Sequence, residues 1–190
     1  MRAPRLIVLA LLAALGISVL VAPSPASAVT RTLRTTYLCE VNGNSAHVRA
    51  RIRVDLPRQL HKGDRMHARR VNVRLVLPAS IVDYMRGLGG RSVEGTSWDA
   101  FYRVESHQRQ IKRLRVPDTD IPSSGPMVLH AHGRAVGYRF RHTGTFPLHA
   151  GHAFTTHATI HRGLGDLTST MGCSVVLGSP TRIGTIRVVR

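Results

Sequence analysis

Between His47 and Val54 the chain alternates polar and apolar residues without a break. Val48, Ala50, Ile52 and Val54 fall on one side; His47, Arg49, Arg51 and Arg53 fall on the other. Only an extended strand, whose successive side chains point to opposite faces, turns that order into one apolar and one polar surface. Such a strand keeps one face on a core and one in water, as antiparallel sheets do. Val71, Val73, Leu75 and Leu77 repeat the pattern opposite Asn72 and Arg74, and Trp98, Ala100, Tyr102 and Val104 repeat it again. Further strands are expected through Tyr37-Leu38-Cys39 and at 111–116, 127–131, 136–140, 154–160 and 183–189. Asn42-Gly43-Asn44 suits a tight hairpin, and Lys62-Gly63-Asp64, His132-Gly133-Arg134 and His142-Thr143-Gly144 mark other turns. Only Ser80 to Leu88 reads as a helix, with Ser80 as its cap and Gly89-Gly90 as its stop. Roughly nine strands, one short helix and frequent turns predict an all-β domain. The expected form is a two-sheet sandwich of immunoglobulin-like, Greek-key type.

The amino terminus obeys different rules. Arg2 and Arg5 precede an apolar run from Leu6 to Val21, and Ala26-Ser27-Ala28 supplies a small-x-small cleavage pattern. Charged start, short apolar centre and small-residue site are the parts of a secretory signal. The run is shorter than the roughly 20 residues a spanning helix needs, which disfavours an uncleaved anchor. The expected division is a signal peptide at 1–28, a short extension at 29–36 and one β-domain at 37–190.

Export bears on the two cysteines, Cys39 and Cys173. In a secreted chain they are most simply a disulfide, with two buried thiols or one nucleophile as the rivals. No Cys-x-x-Cys is present. Without the signal the chain carries 25 basic and 10 acidic residues, a net charge of +15, and only Lys62 and Lys112 are lysines. A surface of that sign attracts polyanions whichever residue supplies the charge.

Several short segments occur in an order that carries a resemblance: Tyr37-Leu38-Cys39, Leu56-Pro57 ahead of Lys62-Gly63, Val93-Glu94-Gly95-Thr96, Asp120-Ile121-Pro122-Ser123-Ser124-Gly125-Pro126, and the late Cys173. With these the chain resembles a family of uncharacterised secreted actinobacterial domains, a domain of unknown function, from about Tyr37 to the carboxyl terminus. The resemblance implies a β-rich extracellular domain with the same cysteine pair. It carries no activity and no functional residue.

The constellations that could carry chemistry are few. His130 and His132 share one face of a strand, and His142, His149, His152, His157 and His161 follow. Zinc or copper needs three or four such nitrogens at one point, and these show no ligand spacing, so no metal or other cofactor is expected. Gly-x-Ser-x-Gly, His-Glu-x-x-His and Ser-x-x-Lys are all missing. Asp118 and Asp120 could form a glycosidase pair, but beside Pro117 and Pro122 they read as turn residues. Gly87-Leu88-Gly89-Gly90 lacks the lysine of a phosphate loop.

The positive signal is the arginine stripe. Arg49, Arg51 and Arg53 project about 6.6–6.8 Å apart along one strand face. Arg69, Arg70 and Arg74 on another strand would extend it into a polyanion-binding patch. Aromatic residues are 5% of the chain and do not interleave with these arginines, which speaks against nucleic acid bound by stacking. The expected function is that of a secreted, non-enzymatic domain at the cell envelope or cell wall. Its partners would be anionic envelope polymers or acidic proteins, and peripheral contact with acidic lipid is compatible with it. The alternatives are a structural or interaction domain whose charge only keeps it soluble, and a histidine-based metalloprotein or hydrolase.

Overall fold

A computed structural model of the protein describes residues 28–190. The apolar run and cleavage pattern read as a signal lie outside the described residues, apart from Ala28. The first strand, β1 (Ala28–Val41), takes in residues 29–36, which the sequence reading sets apart as an extension. It turns through Asn42 and Gly43, at φ +48° and +77°, into β2 (Asn44–Pro57). Both central residues of this two-residue hairpin lie at positive φ, and Gly43 adopts that conformation without steric cost. Residues equidistant from the turn pair along the whole of both strands, from Val41↔Asn44 to Ala28↔Pro57.

The chain continues through β3 (Gln59–His61), β4 (Arg65–Met66) and β5 (Arg69–Leu77) to α1 (Ala79–Gly87). The strands that follow are β6 (Gly90–Ser97), β7 (Phe101–Val104), β8 (His107–Asp120) and β9 (Met127–Ala135). Then come β10 (Tyr138–Arg139), β11 (Gly144–Ala150), β12 (Ala153–Arg162), β13 (Leu167–Val175) and β14 (Arg182–Val189). The helix starts after Pro78, with no side-chain cap, so Ser80 sits inside its first turn. It stops where the Leu88 and Gly89 amides donate to the Tyr84 and Arg86 carbonyls, with Gly89 at φ +78°.

The fold is all-β, but the expected sandwich is replaced by a closed barrel. Eight antiparallel strands form a ring in the order β1–β2–β5–β9–β8–β6–β12–β13, and β13 returns to β1. Alternation alone could not tell these apart, because an apolar strand face is buried equally well by a facing sheet or by curling the sheet on itself. Three strands outside the expected set explain the difference. β6 and β13 stand in the ring, and β11 builds a second sheet, β3–β14–β11–β7–β8, in which only β3 and β14 are parallel. The first half of β8 pairs with β7 and its second half with β6. It passes between sheets at a bulge where Arg113 takes φ +53°. Trp98, placed by periodicity on an apolar strand face, is 64% exposed and precedes β7.

Two cores result. One fills the space between the second sheet and the near ends of the barrel strands, with Leu33, Ile52, Val54 and Val71 against Tyr102, Leu148 and Ile186. The other is the barrel interior, including Tyr37, Val48, Leu77, Val93, Leu129 and Ile160, with Val82 and Met85 of α1 over it. Within this second core lies a cavity of about 150 Å³.

Cys39 and Cys173 are directly opposite on β1 and β13 and are joined as a disulfide. Removing it with the double substitution Cys39→Ala, Cys173→Ala frees a 134-residue separation. The expected loss is about 4 to 5 kcal/mol in the chain-entropy account, read by urea unfolding. A loss below about 1 kcal/mol would show that this bond is incidental.

Gly133, expected as a turn, lies inside β9 beneath the β8 bulge. A Cβ there would stand 3.0 Å from Ile111 Cγ2 and from Leu114 Cα. Gly133→Ala should therefore destabilise by about 1–3 kcal/mol. Gly172→Ala on β13, where a Cβ meets nothing within 4 Å, should be neutral or slightly stabilising. Thermal melts of the two variants that shift equally would refute a tight β8–β9 seam.

Candidate functional site

The outward faces of β1, β2, β5, β9 and β8 form a continuous basic surface. Strand pairing puts Arg34, Arg51, Arg74 and His130 side by side across four strands. The next row runs Thr32, Arg53, Asn72, His132 and Arg115. Arg70, Arg134 and Lys112 form a third. Adjacent strands are about 4.7–4.9 Å apart, so neighbouring rows and columns lie within one another's electrostatic reach.

Arg51 stands at the centre. Its guanidinium is held below its ordinary pKa, first by Arg34, then by lost hydration, then by Arg53 and Arg74. Like charges crowded in this way favour whatever anion lies between them. Around Arg51 the surface forms an open depression of about 460 Å³, lined by Arg34, Arg49, Arg51 and Arg74 with Thr36 and Ser179, and by no carboxylate. Among the described residues none of these four arginines is in an ion pair. Asp55, bonded by the Thr30 hydroxyl at 2.6 Å, marks one end of the β1–β2 face, and Glu40 opposite Ser45 marks the other.

The structure therefore gathers Arg49, Arg51, Arg53, Arg70 and Arg74 on one face and separates Arg69 from them. Arg69 has the parity of the inward Val71 and Val73, and its Nε is buried without a hydrogen-bond partner. Arg34, Lys112, Arg115 and Arg134 belong to the face although no alternating run announces them. Arg34 had a readable signal: it lies seven residues before Val41, and Arg51 lies seven after Asn44, so the hairpin makes them partners.

The histidines divide. His130 and His132 join the basic face, where His132 Nε2 accepts from Arg115 Nε at 3.3 Å. His149 on β11 bonds Thr181, its pKa lowered by burial and by Arg103, Arg182 and His152. His157 bonds Thr170, and His161 bonds Asp166. Among the described residues no three His, Cys, Asp or Glu side chains converge as metal ligands would. Asp118 and Asp120 end β8, and Asp118 lies 3.9 Å from His161 Nε2.

A protein-family model described as a family of unknown function (DUF6801) matches residues 36–184. The chain matches no curated protein and no solved structure.

His161 provides a measurable electrostatic test. The Asp166 hydrogen bond raises its pKa above the ordinary 6.5; lost hydration opposes this, and the charges of Asp166, Asp118 and Glu94 add to it. A raised histidine stabilises the fold fully below its unfolded pKa and loses that contribution as pH rises through the folded value. NMR titration should place His161 above 6.5, and Asp166→Asn should bring it down. The stability lost by Asp166→Asn should be larger in mild acid than in mild alkali. An unchanged His161 titration would remove the assigned pair.

Proposed function

The chain belongs to this family of unknown function, and from that premise we propose a reading built on the protein's own surface. It is an exported, non-enzymatic domain of the cell envelope that binds anionic polymers through the outer face of β1, β2, β5, β9 and β8. The observation that carries the reading is the Arg34–Arg51–Arg74–His130 row over a depression without a carboxylate. Guanidinium groups match phosphate and carboxylate in two-point geometry, and rows of them suit a polymer with repeated charges better than a lone ion. No Phe, Tyr or Trp stands in these rows, so the face lacks the large rings on which single-stranded nucleic acid stacks. The disulfide agrees with an oxidising compartment, and among the described residues no helix is long and apolar enough to cross a membrane.

The rival reading is a structural domain whose charge acts in bulk. Binding of long-chain polyphosphate and of polyglutamate, measured across a salt series, separates the two. For the proposed face, affinity falls steeply with salt. The triple substitution Arg34→Ser, Arg51→Ser, Arg74→Ser removes about 1 kcal/mol per residue, roughly a hundredfold in affinity. Arg58→Ser, Arg141→Ser, Arg187→Ser removes the same formal charge away from the face and should cost much less. Equal losses from the two triples would make the effect one of net charge and dismiss the site.

A further inference from the structure

We propose that the barrel interior is a second, independent binding site, for a small amphiphile with a short alkyl chain and one hydroxyl-type polar end. The cavity of about 150 Å³ is lined mostly by inward residues of the ring strands and is partly open to the surface. Ile81, Tyr84, Met85 and Leu88 of α1 lie across one end, and Ala100, Phe101 and Gly151 close the other. An engineered apolar cavity of about this volume stays dry and accepts benzene, and eight-stranded barrels are the size class that holds one small ligand. Small residues keep this space open. Ala50, Ala131 and Ala158 face it, and at Gly95 a Cβ would stand 3.2 Å from Thr156 Cγ2.

The polar groups of the lining identify the ligand's other end. Tyr37, buried so that its pKa is pushed up to about 12, donates its hydroxyl to the Gly151 carbonyl at 3.2 Å. Ser97 donates to Asp99 at 3.1 Å, and the Tyr84 hydroxyl receives the Asn42 amide at 3.5 Å. Ser169 differs. It lies on the lining of β13 between Leu167 and Met171, and its hydroxyl is buried with no hydrogen-bond partner. A hydroxyl left so in apolar surroundings costs free energy that a ligand's single hydroxyl would recover. Leu167 and Met171 on either side are only half-buried, as are Ile81 and Leu88 of α1, so the lining reaches the surface there. A ligand with its chain among Leu129, Ala131 and Val73 and its hydroxyl at Ser169 satisfies both features. Arg115, of the second arginine row, and Glu94 are the charged members of the lining and are opposite in sign, so its occupant need carry no net charge.

The test uses the disulfide-intact domain lacking residues 1–28, titrated with 1-octanol and, separately, with octane. Expected are a saturable rise in melting temperature with octanol and NMR shifts confined to inward residues, Ser169 among them. Octane should bind more weakly by about threefold to tenfold, the worth of one neutral hydrogen bond. Ser169→Ala should erase that preference while keeping chain binding. Ala131→Leu, which fills the cavity, should abolish binding of both probes at unchanged circular dichroism; if that variant does not fold, the Ser169→Ala comparison and the NMR map decide. No saturable binding, shifts on the outer face, or an octanol preference that survives Ser169→Ala would each overturn the proposal.

Discussion

Everything in this molecule depends on closing the ring, and the ring closes through its two thinnest seams. Six of the eight junctions are ladders of five or more residue pairs. The β1–β13 junction pairs only Tyr37 to Glu40 with Val175 to Gly172, and β8–β9 pairs only Ile111, Lys112 and Arg115 with Ala135, Arg134 and His132. Each thin seam has its own reinforcement. The first carries the disulfide at its centre. The second carries the Arg113 bulge, seated on Gly133, where the missing side chain lets one backbone approach another. Bulges and glycines at such corners are what let a twisted sheet bend far enough to meet itself.

Closure also decides what the alternation can do. Along β2, Arg49, Arg51 and Arg53 face out while Val48, Ala50 and Ile52 face in, and the same division holds on β5 and β9. An open sheet would present those two surfaces to a facing sheet and to water. A ring converts them into an outer wall and an enclosed lumen. One two-residue period thus yields a charged exterior and an apolar interior in the same segment, with chemistries that do not interfere. The second sheet completes the arrangement by plugging one end with residues of β7 and β11, leaving α1 over the other.

How much of this was legible follows from what each strand's sequence contains. β2 and β5 declare themselves because every second residue is apolar. β13, Leu-Thr-Ser-Thr-Met-Gly-Cys-Ser-Val, keeps the period but places Ser169 inward and hydroxyls outward, so its apolar signal is faint. β6 has only Val93 as a sizeable apolar residue, its inward neighbour being Gly95. With β6, β11 and β13 hidden, the visible strands suggested two facing sheets. The disulfide, the Asn42-Gly43 hairpin and most of the helix could be read from local chemistry. The basic face was readable along one strand but not across strands, because Arg115 and Arg134 become neighbours of the stripe only through pairings far apart in the chain. Arg69 failed for the opposite reason: adjacent arginines on a strand point to opposite sides, so Arg69 and Arg70 could never share a face.

The disulfide has a mechanical consequence as well. It links the first strand to the thirteenth, so the covalent path from Ala28 to Arg190 need not pass through the 133 residues between the cysteines. Tension applied to the two ends of the folded chain would run along β1 to Cys39, cross the sulfur bridge, and leave along residues 173–190. Only those flanking segments could be drawn out. The pairings among β2, β5, β9, β8, β6 and β12 would stay in a loop outside the loaded path, so the arginines on those strands would bear no direct load, whereas Arg34 of β1 lies on the loaded segment.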